Sequence, residues 1–80
     1  MAVAIIFLGK LADLAGVSAM DVEAPLDWDG LLDELLGPLR DAVLEDRTRI
    51  ALNGEVLAVK SDLLAKDGDE IALLPPVSGG

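Results

Sequence analysis

Apolar residues open the chain in a nearly unbroken run from Ala2 to Leu8, with Val3, Ile5, Ile6 and Phe7 supplying β-branched and aromatic bulk. Such a run is too short for a stable helix and predicts a strand buried on both faces. Gly9 to Gly16 predicts a connection holding one helical turn, because Leu11 and Leu14 lie a turn apart and Gly16 can stop it. Val17 to Ala24 predicts a second strand, which Pro25 ends. The period then changes. Trp28, Leu31, Leu32 and Leu35 stand at i, i+3, i+4 and i+7, so Asp27 to Leu36 predicts a helix with Asp27 as its N-cap. Gly37-Pro38 predicts a stop and a restart, Gly as C-terminal cap and Pro at the first position of a short helix over Leu39 to Glu45. Alternation returns in Arg49 to Asn53, followed by the tight-turn pair Asn53-Gly54 and a short returning strand, Val56 to Val59. Ser61 to Lys66 predicts a connection with one helical turn, Asp67-Gly68 a turn, and Glu70 to Leu74 a last strand closed by Pro75-Pro76.

That order gives an α+β domain: a hairpin, a helix crossing one sheet face, and a last strand returning beside the first. It is the β-grasp, or ubiquitin-like, arrangement, a mixed sheet of about five strands with one main helix and short extra helices. The expected organisation is a β-grasp domain over residues 1–76 and a flexible C-terminal tail over 77–80. One helical layer covers one sheet face. With Ile5, Phe7, Ile50, Leu52, Ile71 and Leu73 turned toward the helix, alternation puts Ala4, Ile6, Leu8, Ala51, Ala72 and Leu74 on the other side. An uncovered face of small and apolar residues predicts a protein interface. The competing explanations are loops that cover it or a register displaced by one residue.

Length and charge narrow the partners. Eighty residues bound one small domain, and a 52% apolar content supports a folded core. The net charge is -9, from six basic and fifteen acidic residues. Nucleic-acid binding needs a basic footprint that is missing, and an anionic membrane is disfavoured for the same reason. A basic protein partner is favoured, although the charge could equally serve solubility alone. No basic segment precedes the apolar start and no stretch is long enough to span a bilayer, so a cytoplasmic protein is expected. The chain has no Cys and no His. Ser18, Thr48, Ser61 and Ser78 therefore lack the base that nucleophilic catalysis requires. Gly9-Lys10 lacks the remainder of a phosphate loop, and Asp67-Gly68-Asp69-Glu70 lacks the alternating ligands and distal Glu of a calcium loop, so no metal site is expected.

Chemistry then falls to the end of the chain, Pro75-Pro76-Val77-Ser78-Gly79-Gly80. The prolines favour an extended exit, and the two glycines strip the surroundings of the last carboxylate of side chains. Such an end could thread a narrow channel in another protein, or it could be an ordinary frayed terminus. A carboxylate is a poor electrophile, but its anhydride with AMP has a good leaving group, and a sulfur donor replacing AMP leaves a thiocarboxylate. A chain without Cys could carry sulfur in this way.

The segment from Asp67 to Gly80, together with Phe7-Leu8-Gly9-Lys10-Leu11-Ala12-Asp13-Leu14-Ala15-Gly16 and Ala51-Leu52-Asn53-Gly54-Glu55, resembles the small subunits of molybdopterin synthase, a family of ubiquitin-like sulfur carriers. The resemblance implies a cycle for molybdenum cofactor biosynthesis. A ubiquitin-activating-like enzyme uses ATP to adenylate Gly80, and sulfur transfer makes the thiocarboxylate. The carrier then docks on the large synthase subunit and donates sulfur to cyclic pyranopterin monophosphate. It implies a heterotetramer of two small and two large subunits, in which this chain is a non-catalytic sulfur-carrying subunit of a sulfurtransferase. It also implies that ATP and zinc belong to the activating partner and that this chain binds no cofactor. Carried over by position, Gly80 is the covalent site. Val77, Ser78 and Gly79 give passage, and Leu74, Pro75 and Pro76, with Ile6, Leu8 and Ala72, meet the partner. Ala12-Asp13 stands where the family often has Arg-Glu, and Leu73-Leu74 where it often has aromatics. Carriers for thiamine synthesis or tRNA thiolation, and a ubiquitin-like binding module whose tail is never activated, are the alternatives.

Overall fold

The start and the end of the domain lie side by side in one sheet. The computed structural model describes residues 2–76. Its elements run β1 (Ala2–Phe7), α1 (Lys10–Ala15), β2 (Ala19–Glu23), β3 (Leu26–Asp27), α2 (Trp28–Glu34), α3 (Gly37–Leu44), β4 (Arg49–Leu52), β5 (Glu55–Val56), a 3-10 turn (Lys60–Asp62), β6 (Leu64–Ala65) and β7 (Glu70–Leu74). Five strands form the main sheet in the order β2-β1-β7-β4-β5, and β3 with β6 forms a small second sheet. Strands β1 and β7 pair in parallel, and every other neighbour is antiparallel. This is the β-grasp topology.

One face of the main sheet is sealed. Val3, Ile5 and Phe7 of β1 are buried with Ile50 of β4 and Ile71 and Leu73 of β7. Leu11 of α1, Leu31 and Leu32 of α2, and Leu39, Ala42 and Val43 of α3 complete the same cluster, joined by Leu26, Leu63 and Ala65 from the small sheet and its approach. Leu52, expected among the inward residues, is half-buried and packs against that cluster. The inward set is thus as alternation predicts, and three helices cover it as expected, joined by a small sheet that was not. The first strand was expected to be buried on both faces. It is not: Ala4 and Ile6 are half-buried, and Leu8, just past the strand, is exposed.

Local chemistry sets most boundaries. Asp27 Oδ1 accepts the Gly30 amide at 2.8 Å, the expected cap. Gly30 also explains itself, since a Cβ there would stand 3.1 Å from both Asp27 Oδ1 and Leu26 Cδ1. Helix α2 stops at Glu34, two residues before the expected end, with Leu35 already extended (φ -108°, ψ 141°). Its C-terminal cap is therefore Leu35 and not Gly37, which starts α3 at φ +56°. Gly16 ends α1 in the left-handed conformation, as expected. Asn53 and Gly54 both have positive φ, the signature of a tight hairpin turn. The returning strand is Glu55–Val56, shorter than the expected Val56 to Val59, and the second strand is likewise trimmed to Ala19–Glu23.

Lys60 fastens the end of α3. Its Nζ donates to the Val43 carbonyl at 2.8 Å and to the Glu45 carbonyl, and lies 5.6 Å from the centre of the Trp28 ring. A cation at a helix C-terminus meets the negative end of the dipole. Partial burial pushes its pKa down, with the Arg49 charge adding to that effect and Asp46 and Glu45 opposing it. Buried Thr48 donates its hydroxyl to the Ala42 carbonyl at 2.7 Å, so the same helix end is closed twice.

The acidic turn before β7 is structural. Asp67 Oδ1 accepts the Ala2 amide at 3.0 Å, and Gly68 donates to the Ala2 carbonyl at 2.9 Å. Asp69 accepts the Lys66 amide and an Asn53 side-chain N–H, and Asn53 Oδ1 accepts the Glu70 amide. The Lys66 amide, then the Asn53 side chain, hold the Asp69 carboxyl below its ordinary value of 3.8. A depressed folded-state pKa stabilises the fold above the unfolded value and loses that effect as pH falls through the folded one. Asp69→Ala is therefore expected to lower the thermal midpoint at neutral pH, with the gap to wild type narrowing below a pH of about 4. Thermal melts across that range check it, and a gap that does not change with pH contradicts it.

Candidate functional site

The second face of the main sheet carries the docking residues expected from the sequence. Its register can be read straight across. Ala19 of β2 pairs with Ile6 of β1, Ile6 with Ala72 of β7, Ala72 with Ala51 of β4, and Ala51 with Val56 of β5. Paired residues share a face, so these five form one apolar row across the whole sheet. Ala72 and Ala51 are short, which keeps the middle of the row low, while Ile6 stands beside them half-buried and Val56 is 55% exposed at the edge.

The rows on either side differ in charge. Toward the exit of the chain, Leu74 pairs with Arg49, and Leu8 lies 41% exposed just past the end of β1. In the other direction Asp21, Ala4 and Glu70 are neighbours, with Ala2 and Glu23 beyond them. Each step between rows is two residues, roughly 6.6 Å along a strand. The face is thus apolar in its centre, acidic at the end away from the exit, and carries one guanidinium beside Leu74. A partner complementary to it needs a flat apolar patch with cations on one rim.

The exit belongs to the same face. Strand β7 is the middle strand of five, and it runs through Ala72 and Leu74 into Pro75 and Pro76, both half-buried. Proline has no N–H with which to extend the ladder, so the strand ends here. Ile6 and Ala72 are therefore direct neighbours, with Leu74 one row on and Leu8 flanking the exit. Val77, Ser78, Gly79 and Gly80, the expected passage and covalent site, lie outside the described residues.

Ala19 and Val56, the two ends of the row, were not singled out from the sequence. The alternation of Val17 to Ala24 is imperfect, and Val56 sits in a ladder of two residues, too short to show a period. An open groove along α3, lined by Gly37, Pro38, Asp41, Ala42 and Glu45, lies apart from this face. No helix among the described residues is long and apolar enough to cross a membrane.

With this geometry in hand, residues 5–80 match the model of the ThiS family. The chain belongs to the ThiS family. Among its relatives, the molybdopterin synthase sulfur carrier subunit of Drosophila melanogaster is 35% identical over 79 residues, covering 95% of this chain and 88% of that one. A chain in the protein–protein complex of subunits 1 and 2 of molybdopterin-converting factor from Helicobacter pylori is 30% identical, with a TM-score of 0.65 and full coverage of both chains. The small archaeal modifier protein 1 of Methanosarcina acetivorans is 28% identical with a TM-score of 0.77, covering 99% of this chain and 96% of that one. The family match begins inside β1 and runs through to Gly80, so it includes the open face, the exit and the Gly79-Gly80 pair.

Proposed function

We infer that this ThiS-family chain is the sulfur carrier subunit of a molybdopterin synthase, with the carboxylate of Gly80 as its working group. The observation that carries this reading is continuity: the strand at the middle of the open apolar face leads through Leu74-Pro75-Pro76 into Val77-Ser78-Gly79-Gly80. One docking event can therefore present both the face and the end of the chain. The relatives named as molybdopterin synthase sulfur carriers, near full length at up to 35% identity, support it.

The chemistry proceeds on partners. A carboxylate oxygen of Gly80 attacks the α-phosphorus of ATP in an adenylating enzyme, and pyrophosphate leaves. Hydrosulfide, or a donor at the same oxidation level, then attacks the carbonyl carbon and AMP leaves, giving the thiocarboxylate. On the large subunit that sulfur attacks a carbon of cyclic pyranopterin monophosphate, and a C–O bond at that carbon breaks with its oxygen leaving with a proton. Water cleaves the acyl–sulfur bond, leaving sulfur on the pterin and returning the carboxylate. ATP is bound by the activating partner, and this chain holds no cofactor of its own. Ile6, Leu8, Ala72 and Leu74 meet the large subunit, Pro75 and Pro76 direct the exit, and Val77, Ser78 and Gly79 pass the channel. The assembly is a cytoplasmic heterotetramer of two small and two large subunits.

ATP–pyrophosphate exchange by the adenylating enzyme tests this directly. Exchange that requires the chain and rises with its concentration supports the reading, and exchange indifferent to the chain contradicts it. The neighbour named as an archaeal modifier favours one second reading, in which the activated carbonyl is passed to an amine and this chain becomes attached to another protein. Chain-bearing conjugates stable to thiols and hydroxylamine would favour that outcome over sulfur transfer.

A further inference from the structure

Gly9 stands between β1 and α1 with φ +53° and ψ -130°, a conformation close to glycine's own region of the map. It cannot easily relax. The Leu11 amide donates to the Leu8 carbonyl at 3.0 Å and the Ala12 amide to the Gly9 carbonyl at 3.1 Å, so the first turn of α1 holds both peptide groups. Leu11 itself is fully buried and anchors that turn in the core. A Cβ added to Gly9 would stand 3.2 Å from Cγ of Pro75. The bare Cα of Gly9 is therefore the floor on which the Pro75 ring rests.

We propose that Gly9 is a positioning residue that sets the direction in which the tail leaves the open face, by letting the Pro75 ring pack directly against its backbone. Resting on the carrier reading above, this adds a residue that touches neither nucleotide nor substrate. The physical case is that Pro75 cannot donate a ladder hydrogen bond, because it has no N–H. Its place is set by packing. The Leu8 amide reaches the Leu73 carbonyl only at 3.4 Å, so the β1–β7 ladder is already loosening where the ring begins. An added Cβ at 3.2 Å requires the Pro75 ring to give by a few tenths of an ångström, through a change of pucker or a shift of the chain that carries it. A shift of the chain at Pro75 alters the point and direction from which the tail leaves the sheet.

The structure supplies its own control. Gly37 has nearly the same φ, +56°, with no atom within 4 Å of an added Cβ. Gly37→Ala imposes positive-φ strain without touching the exit; Gly9→Ala imposes positive-φ strain of its own together with the contact. Both variants are expected to melt below wild type. In ATP–pyrophosphate exchange with the adenylating enzyme, Gly9→Ala is expected to lower kcat by about tenfold, since small misplacements of a reacting group are costly. Its KM should stay within about twofold, because the substitution changes no other side chain that the adenylating enzyme could meet. Gly37→Ala should leave both constants near wild type. Pro75→Ala removes the Cγ atom, so in that background Gly9→Ala should cost no more than about twofold in kcat, a coupling that backbone strain alone does not produce.

Wild type without exchange activity overturns the carrier reading and the positioning role with it. Active wild type with Gly9→Ala indistinguishable from Gly37→Ala overturns the positioning role alone. So does a Gly9→Ala loss of the same size with and without Pro75→Ala.

Discussion

Removal of Gly80 is expected to abolish activation by the adenylating enzyme while leaving the domain folded. One residue of extended chain spans roughly 3.5 Å, so the truncated carboxylate, now on Gly79, falls short by several times the error that reacting groups tolerate. Loss of at least about a hundredfold in ATP–pyrophosphate exchange follows from that misplacement. Among the described residues the buried cluster ends at Leu73, and a glycine has no side chain to add to it. The thermal midpoint should therefore stay within about 3 °C of wild type, the range for changes away from the core. Full exchange activity in the truncated chain would contradict the assignment of Gly80. Loss of activity with a collapsed midpoint would instead show that the end of the chain supports the fold.

Leu74→Asp is expected to produce the largest loss of affinity for the large subunit. Leu74 is half-buried at the exit end of the open face, one row from Ile6 and Ala72, where a partner would exclude water around it. The substitution removes apolar contact and brings a carboxylate, beside Arg49, into an interface that must desolvate it. For a central anchor that costs upward of about 2 kcal/mol, or roughly thirtyfold in Kd. The folded domain should tolerate it well, because Arg49 is the direct cross-strand neighbour and gains an opposite charge. Calorimetric titration against the large subunit reads the effect. Affinity equal to wild type would show that the interface lies elsewhere on the molecule.

These two outcomes rest on features of unequal visibility in the sequence. The main strands were legible as short apolar runs bounded by turn residues, and the alternate positions Ile5, Phe7, Ile50, Ile71 and Leu73 are all buried. Asp27 and Asn53-Gly54 were legible because a cap and a tight turn each depend on neighbouring residues only. The open face followed from the same alternation. What escaped depends on contacts between distant parts of the chain. The β3–β6 ladder has two residues on each strand, which carries no period. Lys60 reads as a solvated charge until α3 and Trp28 are brought to it. Gly37 looks like the end of one helix, and only the backbone shows that it begins the next. Gly9 looks like a turn residue, and its contact with Pro75 exists only because β1 and β7 are parallel neighbours. The buried side of the domain was written in periodicity, whereas the devices that aim its exit were not.

The central claim is that the carboxylate of Gly80 is converted to a thiocarboxylate, and intact mass spectrometry of the chain isolated from its own cells tests it most directly. A second species heavier by the difference between one sulfur and one oxygen is expected, located by fragmentation to Gly80 and lost in the chain lacking that residue. A single unmodified mass, in cells actively making the cofactor and with the adenylating enzyme present, would contradict it.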